Sequence, residues 1–263
     1  MTSPFTFSLQ GRRALVTGGA QGIGLAITQA LVAHGAQVHI CGTNEAALKD
    51  AQASLPGIGI SVANITDEAQ VASMFSEISQ RMGGIDILVN NAGIAGPTAA
   101  IEDITLADWQ QCLEVNLTGT FLCTRSAVPG MKERRHGSIV NIGSVASRLA
   151  FPRRSPYSAT KYGVIGLTET WATELGPHGI RVNAVLPGIV EGPRQDRVLA
   201  ASAQAAGVSV DVMRERVLQR VSLRSMVSAD DIAAAVVYLC SDAGASVTGQ
   251  SLSVDGNVET LVR

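Results

Sequence analysis

Ala14-Leu15-Val16-Thr17-Gly18-Gly19-Ala20-Gln21-Gly22-Ile23-Gly24 takes a short apolar strand straight into a glycine-rich turn and out into a helical pattern. From Gly22 to His34, Ile23, Ile27, Ala30 and Leu31 recur at the spacing of one buried helix face. Glycines at such a junction let backbone approach a ligand closely. Helix N-terminal amides and the macrodipole favour an anion there, a pyrophosphate being the natural candidate. The spacing is Gly-x-x-x-Gly-x-Gly, unlike the Gly-x-Gly-x-x-Gly of many dinucleotide-binding enzymes, and a plain glycine-rich turn is the competing reading.

Outward from this turn, β-rich runs alternate with helical patterns over almost the whole chain. The strand candidates are Ala14 to Val16, Gln37 to Cys41, Ile58 to Val62, Ile85 to Val89, Ser138 to Ile142, Arg181 to Val185 and Ser251 to Val254. Between them lie helical stretches at Asp67 to Met82, Leu106 to Arg135, Pro156 to Leu175 and Ala229 to Leu239. The alternation predicts an α/β fold: one Rossmann-type, doubly wound domain over residues 1–263, with a seven-stranded parallel sheet covered by helices on both faces. Ile189 to Val227 departs from the alternation, with extra helical sequence at Ala200 to Ala206 and Val212 to Val221, and is expected to form a substrate-binding lid.

With 263 residues, 46% of them hydrophobic, the chain can bury a sizeable core. A net charge of -2 and a pI near 6.1 argue against nucleic-acid or anionic-membrane partners and leave a small molecule as the expected one. No apolar signal-like region follows Met1-Thr2-Ser3-Pro4 and no run reaches membrane-spanning length, so a cytoplasmic location is expected. Cys41, Cys112, Cys123 and Cys240 sit in apolar surroundings without Cys-x-x-Cys spacing, and His34, His39, His136 and His178 are scattered. Neither set predicts a disulfide or a metal site.

Chemistry concentrates between Ser144 and Lys161. Tyr157 and Lys161 are four residues apart, which puts both on one face of a helix. A free phenol holds its proton too tightly for efficient exchange at neutral pH, and a neighbouring ammonium favours the phenolate. Ser155 reads as the helix N-cap and Pro156 as its first residue. Ser144 follows the apolar run Ser138 to Ile142 and Gly143, where a hydroxyl at a strand's carboxyl end faces the ligand crevice of an open α/β sheet.

Taken with Asn90-Asn91-Ala92-Gly93 after the fourth strand, Asn116 in the next helix and Pro187-Gly188, the chain resembles the short-chain dehydrogenase/reductase family over nearly its full length. The resemblance implies an oxidoreductase that interconverts a secondary alcohol and a ketone by hydride transfer with a nicotinamide cofactor. It places Asn116, Ser144, Tyr157 and Lys161 at the family's catalytic tetrad: Ser144 bonds the substrate oxygen, Tyr157 exchanges the proton, Lys161 assists it and holds the nicotinamide ribose, and Asn116 anchors a water relay. It also implies a cofactor site built from Gly18, Gln21, Gly22, Ile23, Gly24, Thr43, Asn64, Ile65, Asn90, Ala92, Gly93, Tyr157, Lys161, Pro187, Gly188 and Ile189, with Ile189 bonding the carboxamide through its backbone. Gly192 stands where a carboxamide-binding threonine is usual, and Asn64 where an aspartate is common. A homotetramer joined through helix faces and the segment from Leu252 to Val262 is implied as well.

After the second strand the chain offers Gly42 and Thr43, neither the acid that bonds an NAD ribose nor the arginine that takes an NADP phosphate. Gln21 is neutral where NADP-preferring relatives often carry a base, which favours NAD over NADP. Asp86 reads either as structural or as lying near the adenine. Arg148, Arg153 and Arg154 surround the catalytic segment, and Arg194 and Arg197 follow Pro187-Gly188. Their forked donors suit an acidic substrate tail held by Arg154 and Arg194, against the reading that they form surface ion pairs with Glu191, Asp196 or neighbours. The alternatives in activity are a 3-oxoacyl reductase, a polyol or sugar dehydrogenase, a hydroxysteroid dehydrogenase and, outside enzymes, a regulatory dinucleotide-binding protein.

Overall fold

All seven expected strands form and share one sheet. They are β1 (Arg13–Thr17), β2 (Gln37–Gly42), β3 (Gly59–Val62), β4 (Ile87–Asn90), β5 (Gly137–Ile142), β6 (Ile180–Pro187) and β7 (Ser251–Val254). Their order is β3-β2-β1-β4-β5-β6-β7, with every neighbouring pair parallel. The computed structural model describes residues 7–259, and the side chains of residues 194, 201 and 205 lie outside that description. No helix among the described residues is long and apolar enough to cross a membrane.

Successive residues of a strand point to opposite faces, so each strand feeds two apolar layers. Ala14 and Val16 of β1 pack with α1 (Gly22–Ala33), α2 (Glu45–Ser54) and, later in the chain, α9 (Ala229–Cys240), through Ile27, Leu31, Leu48, Ile232 and Val236. Leu15, between them, faces α3 (Glu68–Met82), α5 (Gly119–Arg134) and α6 (Ser155–Leu175), through Met74, Ile78, Leu122 and Leu175. The chain builds outward from β1 to β3, then returns through α3 to lay β4 on the other side of β1. Where the winding direction reverses, the strand ends part and leave a crevice at the sheet's carboxyl edge.

The structure corrects the local reading in three places. The stretch from Leu106 to Arg135 is not one helix: α4 (Leu106–Leu113) and α5 are joined by a π-helical turn at Glu114–Thr118. Ser155 is the first helical residue rather than the N-cap, because the Arg154 carbonyl accepts the first helical bond, from Ser158 N at 2.9 Å. α2 was not anticipated, since only Ala47, Leu48 and Ala51 mark its buried face, although Asn44 caps it by accepting from Ala47 N at 3.1 Å. Past β6, α7 (Pro193–Ala206) and α8 (Val210–Leu218) make the expected excursion, closed at its base by a parallel bridge between Val190 and Val227.

Asp86 is structural. It lies just before β4, at the amino edge of the sheet and away from the crevice, and accepts from Arg13 N (3.0 Å), Nε (2.8 Å) and Nη2 (2.6 Å), with Arg134 Nε at 3.4 Å. Burial alone would raise its carboxyl, but the hydrogen bonds and charge of Arg13, backed by Arg134, outweigh it and hold the group below its ordinary value. An acid depressed by folding contributes stability above its unfolded value of about 4, and loses it as pH falls through the lower folded value. Asp86→Ala should therefore cost about 3 kcal/mol at neutral pH. Denaturant unfolding should also show that the variant loses part of the wild-type dependence on acid pH; a cost under about 0.5 kcal/mol would reject this account.

Candidate active site

The glycine turn is braced from the neighbouring strand. Thr17 Oγ1 accepts from Asn91 N and Ala92 N, both at 3.0 Å, while Asn91 Nδ2 donates to the carbonyls of Thr17 (3.0 Å) and Gly18 (3.1 Å). A Cβ on Gly24 would stand 2.0 Å from the Gly18 carbonyl oxygen, so the first turn of α1 lies directly against the loop that precedes it. At Gly22 φ is +52° and nothing approaches within 4 Å, leaving open space over the helix start. Gln21, at the cap position, makes no side-chain cap and the first turn of α1 holds no acid, whereas α2, α3 and α4 are capped by Asn44, Asp67 and Thr105. Uncapped amides at the positive end of the dipole fit the phosphates of a dinucleotide.

Toward the β2 and β3 ends, Thr43 is exposed and Asn44 is occupied as a cap, so neither a carboxylate nor a guanidinium stands directly after β2. Asn64 accepts from Thr66 N (3.1 Å) and Thr66 Oγ1 (3.0 Å), and Ile65 is buried against Gly119. Asn90 is buried within the sheet layer, where its Nδ2 donates to Thr124 Oγ1 (3.0 Å) and Asn141 Oδ1 (2.9 Å). Its place is between β4, β5 and α5, while Ala92 and Gly93 carry the chain on into the crevice.

Ser144, Tyr157, Lys161 and Asn116 are drawn to that same edge. Ser144 follows β5 and starts a short 3₁₀ turn, its Oγ accepting from Ala146 N at 3.1 Å. Tyr157 stands in the first turn of α6, with the Lys161 ammonium 5.7 Å from its ring centroid. Lys161 is buried and donates to the Ile142 carbonyl at 2.8 Å, which ties it to the end of β5. Asn116 occupies the π-helical turn, a distortion common at functional sites. Its Oδ1 accepts from Ile94 N (2.8 Å) and its Nδ2 donates to Ile94 O and Thr160 Oγ1 (both 3.0 Å). A Cβ on Gly93 would lie 3.1 Å from Asn116 Oδ1 and 3.7 Å from Lys161 Nζ, so the segment after β4 brings Asn116 and Lys161 together, with Tyr157 beside Lys161 on α6.

Pro187 ends β6, and Gly188 passes so close to Asp255 that a Cβ would meet its Cα at 2.6 Å. The Ile189 carbonyl accepts from Val227 N at 3.0 Å, and its side chain packs with Val145, Val221 and Val258. Gly192 holds φ +130° and ψ 175°, a conformation reserved for glycine, so a threonine there would be strained. Arg154 donates through Nη1 to Thr98 Oγ1 (2.7 Å) and through Nη2 to Ala95 O (2.8 Å). Arg148 reaches Ser253 Oγ at 2.6 Å, and Arg197 is exposed. Arg194 lies on α7 with its side chain outside the described residues, and Asp196 pairs with Arg214 at 3.2 Å. Thr17, Asn91 and Thr160 were not singled out from sequence. Their partners lie far along the chain or depend on the side of α6 that meets Asn116, and only the Asn-Asn doublet hinted at a paired task.

Residues 18–258 match a family model described as enoyl-(acyl carrier protein) reductase. The chain is 38% identical to the D-beta-hydroxybutyrate dehydrogenase of Cupriavidus necator, over 94% of this chain and 98% of that one. NAD+-bound xylitol dehydrogenase superposes with a TM-score of 0.89 at 30% identity, covering 94% of this chain and 99% of the other. A variant of actinorhodin polyketide ketoreductase with NADPH gives 0.90 at 33%, covering 94% and 97%. With a parallel seven-stranded sheet, an uncapped glycine turn and these relatives over nearly its whole length, the chain belongs to the short-chain dehydrogenase/reductase family of nicotinamide-dependent oxidoreductases acting on CH–OH donors.

Proposed function

We propose that this enzyme interconverts a secondary alcohol and a ketone with Tyr157 as the proton-exchanging group and NAD as the preferred cofactor. The observation that carries the reading is the meeting of Tyr157, Lys161 and the Asn116-held Gly93–Ile94 segment, with Ser144 just past the end of β5, to which Lys161 is tied. A bound nicotinamide supplies the acceptor or donor of the hydride. In the oxidising direction, Ser144 Oγ orients the alcohol oxygen, the Tyr157 phenolate takes the hydroxyl proton as the carbinol C–H bond breaks, and the Lys161 ammonium stabilises the charge on the phenolate. Asn116 keeps the floor of the site in register by holding Ile94 from both sides. Gly18, Gln21, Gly22, Ile23 and Gly24 take the phosphates, Ala92 and Gly93 line the ribose side, and Pro187 to Ile189 the carboxamide side.

The lack of an arginine directly after β2 and the neutral Gln21 support NAD. Residues 189–227 serve as the lid, and an acidic substrate tail would be met from α7, which carries Arg194 and the exposed Arg197, while Arg154 is anchored to Thr98 Oγ1 and Ala95 O. The test is a fluorescence titration with NADH and NADPH, followed by turnover of hydroxy acids against neutral alcohols with the favoured cofactor. NADH should bind at least about tenfold more tightly, a gap of about 1.4 kcal/mol that Thr43→Arg narrows. Hydroxy acids should also be preferred. Tighter NADPH binding would overturn the cofactor assignment and move the 3-oxoacyl reductase reading to the front.

A further inference from the structure

Arg154 has a place that neither hydride transfer nor substrate binding requires. Its guanidinium carbon lies 5.4 Å from the centroid of Tyr157 and 5.4 Å from that of Phe151, and these two rings meet edge to face at 6.5 Å and 76°. Its Nη1 and Nη2 are fixed by Thr98 Oγ1 and Ala95 O, on the loop that follows β4. A third bond joins the same two segments, from Ala99 N to Arg153 O at 3.0 Å. Arg153 itself holds φ +64°, a left-handed backbone that a residue with a Cβ adopts only under local constraint. On the facing loop Gly96 turns at φ +62°, where an added Cβ would stand 3.3 Å from Cys112 Sγ. The start of α6 has no side-chain cap, and Pro156 in its first turn and this cross-loop contact are what constrain it.

We propose, resting on the reading of Tyr157 as the proton-exchanging group, that Arg154 is a positioning residue that pins the Tyr157 ring and locks the 94–99 loop to the first turn of α6. A cation over an aromatic face limits the ring's excursions, and one already held by two hydrogen bonds adds little entropy cost of its own. Two cations, Arg154 and Lys161, thus stand within 6 Å of the Tyr157 ring centroid. Phe151 closes the edge of the ring. The bonds to Thr98 and Ala95 anchor the guanidinium beside the Tyr157 ring whether or not the substrate is an acid, so its contribution belongs in kcat for acidic and neutral substrates alike.

The experiment is NMR of ring-¹³C-labelled tyrosine in the full chain, which has three tyrosines, with Tyr157 assigned by its loss in Tyr157→Phe. In Arg154→Leu, the Tyr157 ring signal should shift and change in line shape while Tyr238 stays put as a fold control, and Arg154→Lys should restore it in part. Thr98→Val, which removes one of the two bonds, should move the same signal in the same direction and covers the case in which Arg154→Leu folds poorly. An unchanged Tyr157 signal in both variants overturns the proposal. The kinetic arm compares 3-hydroxybutyrate with its methyl ester: kcat should fall about tenfold for both, with KM little changed. A rise in KM for the acid alone would assign Arg154 to substrate instead. If Tyr157→Phe retains its rate, the catalytic reading fails while the NMR result still decides the pin.

Discussion

Tyr157→Phe should lower kcat about a thousandfold while leaving NADH affinity and thermal stability close to wild type. The substitution removes one oxygen and keeps the ring, so the packing against Phe151 and the approaches of Arg154 and Lys161 persist. What disappears is the group that passes a proton to and from the substrate oxygen, and no neighbour can take its place. Ser144 Oγ orients the substrate oxygen but does not exchange its proton in this scheme, Lys161 is tied to the Ile142 carbonyl, and the Asn116 amide, spent on Ile94 and Thr160, is no acid or base. Steady-state kinetics alongside a fluorescence titration check this, and a loss smaller than about tenfold would remove Tyr157 from the chemistry.

Gly24→Ala should weaken NADH binding about a hundredfold, equivalent to about 2.7 kcal/mol. The new methyl group would stand 2.0 Å from the Gly18 carbonyl oxygen, 2.9 Å from its carbon and 2.5 Å from Asn91 Nδ2; the first two are backbone and the third is pinned to backbone. The turn must open, which moves the uncapped amides of α1 and breaks the brace from Asn91 to Thr17 and Gly18. Gly22→Ala is the informative companion. It meets nothing within 4 Å and bears only the strain of φ +52°, so its loss should be smaller. Equal losses would mean that backbone strain, and not the contact between loop and helix, governs the turn.

Much of this was legible in the chain because the fold is a parallel sheet. Strands buried on both faces read as unbroken apolar runs such as Ile87-Leu88-Val89 and Ile139-Val140, and every expected strand formed. Ser144, Tyr157 and Lys161 were legible as candidates from local spacing, one residue at a strand's carboxyl end and two residues four apart on one helix, whereas Asn116 was picked out only by the family resemblance. Contacts between distant segments were less visible. Thr17 and Asn91 are 74 residues apart, Arg154 and Ala95 are 59 apart, and nothing in either neighbourhood announces the pairing. Asp86 remained ambiguous until the sheet showed which end of β4 it occupies. The π-helical turn at Asn116 was hidden because one extra residue in a helix leaves the apolar pattern on both sides nearly intact.

The most direct test of the central claim, that substrate hydrogen passes straight to the nicotinamide while Tyr157 handles only the proton, uses a secondary alcohol deuterated at its carbinol carbon. The account predicts that the deuterium is recovered on the reduced nicotinamide without exchange into water, at a rate that Tyr157→Phe abolishes. Deuterium appearing in solvent, or transfer that survives Tyr157→Phe undiminished, would contradict it.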